Sequence, residues 1–366
     1  MTEFVQSIIT ILLFIFILGA LVVIHELGHF VTARLMNVRV LEFGVGFPPR
    51  AKVLRNKGET VYTLNWLPIG GFVKLEGEDG DATDDPRAFS AQSLPRRLII
   101  LVAGVAMNVL LAFVIFTGIA LYGDPAIGVV IGKVEVDSPA AAAGLVAGDT
   151  IVSLNGQPHV AFRSDSPTGA LRSHAGETVT LGITSVDGTT KEVEATLRPL
   201  TEIDATHGAL GIETSAVVVL PDPVHYDVVE AMQIGAQRTV DALGLIVGGL
   251  ATLVDSIVNR IEEGPPVSGP VGIATQIGDV FWQLVPIFTL YVAGILSANL
   301  AVVNILPFPP LDGGRMLMIT LKRFFGDRIS LRAEQMTYMV GFVFLFAFLI
   351  WVTGYDIVRG LTGSGT

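Results

Sequence analysis

The sequence predicts a multi-span α-helical membrane protein of about four transmembrane helices, with a strand-rich hairpin after the first and a small α/β domain inserted after the second. Three observations carry this. Half of the residues are apolar and only 16% are charged, a balance too apolar for a soluble domain of 366 residues. Residues 4–24, 98–123, 280–311 and 335–355 contain no Asp, Glu, Lys or Arg, and each gap exceeds the roughly 20 residues that a helix needs to cross a bilayer core. Between the second and third gaps the pattern changes to short strand-like runs separated by Gly and Asp-Gly turns.

The first gap has no basic start, is too long for a signal peptide, and runs without a small-residue cleavage site into a charged motif, so it is read as a retained span. It continues through His25-Glu26-Leu27-Gly28-His29 and ends near Arg34. Residues 38–75 read as strands, with 51–55 and 60–64 flanking an Asn56-Lys57-Gly58 turn. The acidic stretch Glu76 to Asp85 reads as a solvated loop. Pro95-Arg96-Arg97 anchors the second span. Strands are expected at 129–136, 150–154, 178–184 and 191–197, with a short helix at 139–143. Residues 227–261 are helical and amphipathic, but Asp241 and Asp255 leave only 13 uncharged residues between them, which favours an interfacial or surface helix. A break at Pro307, Pro309 and Pro310 ends the third span. The domains are accordingly 1–126, 127–215, 216–279 and 280–366.

Residues 34–97 hold ten basic residues and residues 307–337 hold five, whereas the longer stretch 123–283 holds seven with twenty acidic ones. By the positive-inside rule the first and third loops face the cytoplasm, and the inserted domain and both termini lie outside. The net charge of −11 comes mainly from that domain and excludes nucleic acid as a partner. With no cysteine in the chain, any zinc site must use nitrogen and oxygen ligands.

His25 and His29 are four residues apart, so their rings project from one helix face. This is the His-Glu-x-x-His pattern of zinc metalloproteases, with Glu26 placed to take a proton from the attacking water. Two imidazoles and a carboxylate at the end of an apolar helix are costly unless a cation compensates them. A catalytic zinc site also needs a third protein ligand. The other four histidines (His159, His174, His207 and His225) fall in the external domain. Asp312 sits at the cytoplasmic end of the third span, after a proline break that is tolerated only around a buried or wet cavity. Its bland alternative is a helix N-cap. Asn304, in the apolar span, is either helix–helix glue or a donor to the carbonyl oxygen under attack. Asn108, with Gly104 one turn earlier, poses the same choice, and there packing and helix contact is the preferred reading.

With these residues in place, the chain closely resembles the site-2 protease family of intramembrane zinc metalloproteases, of the bacterial regulator-of-sigma-E protease type. The resemblance rests on His25 to His29, Gly104-x-x-x-Asn108, Asn304-Ile305-Leu306-Pro307 through Asp312-Gly313, Ser268 to Ala274, and Leu67 to Lys74. It implies one zinc ion held by His25, His29 and Asp312, with Glu26 as general base and Asn304 placing the substrate backbone. It also implies a membrane-associated β-hairpin, bearing Gly70 and Gly71, that holds substrate as an added strand. The inserted domain resembles a PDZ module, most clearly at Gly148 to Gly156, with a peptide-end loop at His207 to Ile212 that includes Leu210, Gly211 and Ile212. Such a module binds peptide C-termini or acts only as a size filter. Two features depart from relatives: Val105 stands where many have proline, and a single PDZ module is present. The resemblance further implies a bacterial inner-membrane location, a lipid environment, and single-span substrates such as anti-sigma factors or signal-peptide remnants left by a first cut. A metal-ion transporter and a membrane-anchored PDZ scaffold with a structural metal site are the alternatives from other classes.

Overall fold

The computed structural model describes residues 3–56, 58–78, 84–162, 167–204, 207–259, 267–326 and 330–362. The chain divides into two compact units, one of Met1–Phe116 with Thr239–Thr366 and one of Thr117–Arg238.

The first unit begins with α1, Glu3–Leu35, an unbroken apolar helix that carries His25 and His29 in its last third. Two long strands follow, β1 (Val40–Asn56) and β2 (Val61–Leu75), paired antiparallel. The pairing is more involved than a plain hairpin. Residues 42–45 take partners at 71–74 and also at 61–64, while 50–56 pair with 61–65. The two strands thus fold back on themselves into four segments, ordered 50–56, 61–65, 42–45, 71–75. Asn65 Nδ2 donates to the Gly46 carbonyl (2.9 Å) and Arg50 Nη2 to Glu42 Oε2 (2.6 Å), tying the segments together. The chain crosses back against α1 at the end of this sheet: a Cβ on Gly71 would stand 3.2 Å from Val23, and Gly19 faces the Pro68 carbonyl.

Helix α2 (Leu94–Tyr122) lies so close to α1 that a Cβ on Gly28 would overlap the Ala103 carbonyl and stand 2.7 Å from Met107. Small residues permit such approach where no hydrophobic force drives helices together. Helix α5 (Val228–Asn259) enters the unit at its C-terminal half. The third charge gap is not one helix. It is divided at Leu284 and Val285 between α6 (Pro270–Gln283) and α7 (Pro286–Ile305), each with proline in its first turn, where a missing N–H costs nothing. The Asp356 carboxylate accepts from the Gly272 amide (2.8 Å), so α9 (Leu331–Thr362) supplies the cap that α6 lacks locally. Helix α8 (Asp312–Phe325) follows the proline-rich break.

Among the described residues, five helices are long and apolar enough to cross a membrane: Glu3–Leu35, Leu94–Tyr122, Val228–Ser256, Pro286–Ile305 and Leu331–Arg359. The charge gaps give four, and the addition is Val228–Ser256. The acidic stretch read as a solvated loop is partly engaged: Asp85 pairs with Arg39 at 2.8 Å and Glu78 pairs with Arg315, while 79–83 lie outside the described residues.

The second unit is a six-stranded sheet in the order β7-β6-β4-β3-β8, with β5 on β4, all antiparallel. Its strands are β3 (Ile127–Val134), β4 (Thr150–Leu154), β5 (Gln157–Pro158), β6 (Thr178–Thr184), β7 (Thr190–Thr196) and β8 (Ile212–Val219). Ser138 caps α3 (Pro139–Ala142) by accepting from the Ala141 amide at 3.1 Å, and α4 (Pro167–Ser173) buries Leu171 in the core. Ile131, Ile151, Leu181, Ile183, Leu197 and Leu210 fill the core. Asp124, fully buried, receives Arg238 Nη1 at 2.8 Å, and Arg238 Nε donates to the Phe162 carbonyl at 3.1 Å. A buried carboxylate is tolerable because this guanidinium and its second contact satisfy it.

Candidate metal centre

One turn of α1 sets the first two donors. His25 and His29 are both buried, and their Nε2 atoms stand 3.1 Å apart. Asp312, the first residue of α8, reaches them from the far side of the proline break, with Oδ2 at 2.9 Å from His25 Nε2 and 3.2 Å from His29 Nε2. The break is what allows this. A Cβ on Gly313 would overlap the carbonyls of Ile305 and Leu306, and one on Gly314 would stand 2.6 Å from the Phe308 backbone. Only glycines let the chain fold this tightly onto the end of α7, so the two residues after Asp312 fix where its carboxylate goes.

Three donor atoms at these separations suit a tetrahedral zinc ion. Bonds of about 2.0–2.1 Å imply ligand–ligand distances of roughly 3.3 Å, against 2.9–3.2 Å here. Room for the ion is also cleared on one side. A Cβ on Gly104 would overlap His29 Nε2 and stand 2.8 Å from His25 Cε1, so α2 presents bare backbone to the two rings. Two imidazoles and a carboxylate form the donor set of an open catalytic site, which leaves a fourth position free. Among the described residues this is the group of three or more potential ligands whose donor atoms converge.

Glu26 follows His25 directly in α1 and is half-buried. The His25, His29 and Asp312 side chains are within its electrostatic reach. Three residues after Asp312, Arg315 is ion-paired with Glu78. Burial works against the Arg315 charge, but the Glu78 and Asp312 carboxylates hold its pKa above the ordinary value.

The other expected site residues are placed less uniformly. Asn304 is half-buried in the last turn of α7 and makes no hydrogen bond to the three donor atoms. Gly70 and Gly71 pack on Val22 and Val23 of α1, within a turn of His25. Leu210, Gly211 and Ile212 line a cavity of about 380 Å³ in the second unit, together with Val129, Leu171 and Arg172. At Gly104 and Asn108 the expected packing and helix contact is present, and it is made to the histidine rings themselves. Gly104 faces both histidine rings, and the Asn108 amide lies 3.3 Å from His25 Nδ1, fully buried. One sequence does not reveal which face of α2 meets α1, and only the four-residue spacing of Gly104 and Asn108 hinted that both would share it.

Residues 13–348 match peptidase family M50. A Clostridium acetobutylicum protein provisionally named a zinc metalloprotease is 34% identical over 357 residues, covering 96% of this chain and 98% of its own. The zinc metalloprotease RasP of Geobacillus kaustophilus is 28% identical, with 98% of this chain and 99% of its own covered. A similarly named Brucella suis protein is 27% identical over 95% of each. Apolar helices of spanning length and near full-length agreement with these proteins lead to one conclusion: the chain belongs to peptidase family M50, the site-2 proteases, and is an intramembrane zinc metalloprotease.

Proposed function

We propose that His25, His29 and Asp312 hold the zinc ion, that Glu26 is the general base, and that the substrate is a transmembrane segment of a single-span protein already shortened by another protease. The observation that carries the reading is the convergence of the three donor atoms to within 2.9–3.2 Å across 287 residues of sequence. Zinc in that position supplies Lewis acidity to a peptide carbonyl and to water. Glu26, beside His25 and half-buried, takes the proton from the attacking water and returns it to the departing amine. Asn304, at the end of α7, orients the substrate backbone as the span gives way to the break at Pro307.

A peptide bond inside a helix is hidden by its own hydrogen bonds, so the substrate must be drawn out before attack. The sheet of β1 and β2 suits that task. Its edge segment 71–75 leaves a contact with Val22 and Val23, the turn of α1 that precedes His25. In the second unit β8 is likewise an edge strand, exposed along most of its length beside the cavity at Leu210, Gly211 and Ile212. An edge strand beside a cavity suits a PDZ module that takes a peptide end, and it supports selection of substrates outside the membrane.

Four crossings fit the site better than five. His25 and Asp312 must meet at the same membrane depth, which requires α1 and α7 to run the same way. A full crossing by Val228–Ser256 would reverse α7 unless the chain crossed again before Pro286. The helix in between, Pro270–Gln283, has 14 residues and is about 21 Å long, short of the ~30 Å core. Helix α5 therefore lies at the interface, the metal centre is near the cytoplasmic side of the bacterial inner membrane, and the second unit and both termini are outside. By the family resemblance, anti-sigma factors and signal-peptide remnants are the substrates to try first.

The test is cleavage of truncated single-span substrates by purified wild type and Glu26→Gln in detergent, with zinc content measured in parallel. Wild type should cut, and Glu26→Gln should keep its zinc and lose at least about 100-fold in rate. Cleavage by both proteins would remove Glu26 from the mechanism.

A further inference from the structure

Each histidine of the centre has a second ring nitrogen, and α2 meets both. His29 Nδ1 donates to the Ile100 carbonyl at 2.8 Å, which leaves Nε2 bare and aimed at Asp312. Asn108 Nδ2 lies 3.3 Å from His25 Nδ1, and a half-turn of the amide brings Oδ1 to the same place. Ile100, Gly104 and Asn108 are spaced by four residues, so they share one face of the helix. Asn108 is fully buried, and its backbone carbonyl accepts from Ser297 Oγ at 2.8 Å, which locks that turn against α7.

We propose that Asn108 is a positioning residue for the metal centre: its side-chain oxygen accepts the Nδ1–H of His25 and thereby holds the His25 tautomer whose Nε2 can bind zinc. The inference rests on the assignment of His25, His29 and Asp312 as ligands. A neutral imidazole carries one proton, so Nε2 is free to bind a metal only when the proton is on Nδ1. Whatever faces Nδ1 must then accept. The amide can turn either end to the ring, and one end is left without a protein partner in both orientations, since its far atom has none in the structure. Satisfaction of the amide therefore does not choose between them. The ligand role of His25 does, because an N–H directed at Nδ1 would stabilise the tautomer protonated at Nε2, which cannot bind. The outcome is a matched pair of supports. A backbone carbonyl fixes one histidine and a side-chain carbonyl the other, both from the same helix face, with Gly104 between them clearing space for the rings. Such supports orient the ring and raise its basicity as a ligand.

The test uses the full chain in detergent and reads zinc affinity by competition with a chromophoric chelator, with the visible spectrum of the cobalt-substituted protein as a second readout. His25→Ala is the reference and should lose its zinc. Asn108→Leu keeps an apolar body of similar size but cannot accept, and should raise the zinc dissociation constant about 10- to 100-fold. Asn108→Ala should do the same and serves if the leucine variant does not fold. Asn108→Asp keeps the shape, can only accept, and should bind zinc at least as tightly as wild type with the same cobalt spectrum. Unchanged affinity in Asn108→Leu and Asn108→Ala, or an aspartate variant as weak as the leucine one, would overturn the inference while the ligand assignment stood. Zinc retained by His25→Ala would instead overturn the ligand assignment.

Discussion

Replacing Gly104 by alanine should damage the metal centre while leaving the fold intact. The added Cβ would overlap His29 Nε2 and stand 2.6 Å from His29 Cε1 and 2.8 Å from His25 Cε1. Carbon atoms in good contact are about 3.5–4.0 Å apart, so the rings must retreat by roughly 0.7–0.9 Å to reach even the short end of that range. Zinc bond lengths tolerate only about ±0.2 Å. Overpacking of this kind costs about 1–3 kcal/mol, and at 1.4 kcal/mol per tenfold that is a rise of about 5- to 150-fold in the zinc dissociation constant. Helix propensity acts the other way, since alanine is favoured over glycine by about 1 kcal/mol in a helix interior. The two effects fall on different observables, so the zinc-free variant should melt no lower than wild type while its zinc affinity drops. Gly118→Ala, in the same helix with nothing within 4 Å of its new Cβ, is the control and should bind zinc normally. Chelator competition and thermal unfolding of the three proteins measure both. A Gly104→Ala protein with wild-type zinc affinity would refute the placement of α2 against the rings.

Zinc removal should lower the melting temperature of wild type and of Glu26→Gln but not of His25→Ala, because zinc at 1,000 times its dissociation constant adds about 4 kcal/mol to stability. Asp124→Ala leaves the buried Arg238 guanidinium without its carboxylate and should cost about 3–5 kcal/mol, with recovery in the Asp124→Ala/Arg238→Met double variant, both read by thermal unfolding. Gly211 has φ +74° and faces the Ser138 side chain, so Gly211→Ala should destabilise the chain by at least about 1–2 kcal/mol, whereas Gly208→Ala, with open space around it, should not.

The sequence disclosed most where local periodicity and charge decide the structure. The four charge-free gaps correspond to α1, α2, α7 and α9. Two of the strands in the second unit, Thr150–Leu154 and Thr178–Thr184, have the expected ends because they alternate and are bounded by turns. The third gap concealed the start of α7 at Pro286, since a charge count cannot see a proline-led restart. Strand β8 went unread because Ile212–Val219 is exposed along most of its length and shows no alternation. The turn between β1 and β2 was legible, but the doubling of the sheet into four segments was not, since it depends on pairings between residues distant along the strands. In the site, His25, Glu26 and His29 follow from helical spacing, and Asp312 from its place at the end of a span. Asn108 required knowledge of how α2 is turned, and the Asp124–Arg238 pair links residues 114 apart that no local pattern connects.

The packing of the helices and the construction of the centre are one problem with one solution. Apolar helices gain little from burial against each other in lipid, so close approach depends on small residues. Here those residues are found where the donors are. Gly28, between the two histidines, admits α2 to the Ala103 carbonyl, and Gly104 admits both rings to α2. Gly294 admits the Phe116 ring to α7, and Ser297, fully buried, grips the Asn108 carbonyl from the same helix. Beyond the break, Gly341 of α9 lies against the Pro309 carbonyl and closes the turn that delivers Asp312. Larger residues at these points would hold the helices apart, and 287 positions of sequence would no longer end with Asp312 within 3 Å of His25. Substitutions there should therefore lower zinc affinity in proportion to how far they separate α1, α2 and α8, even when they touch no ligand.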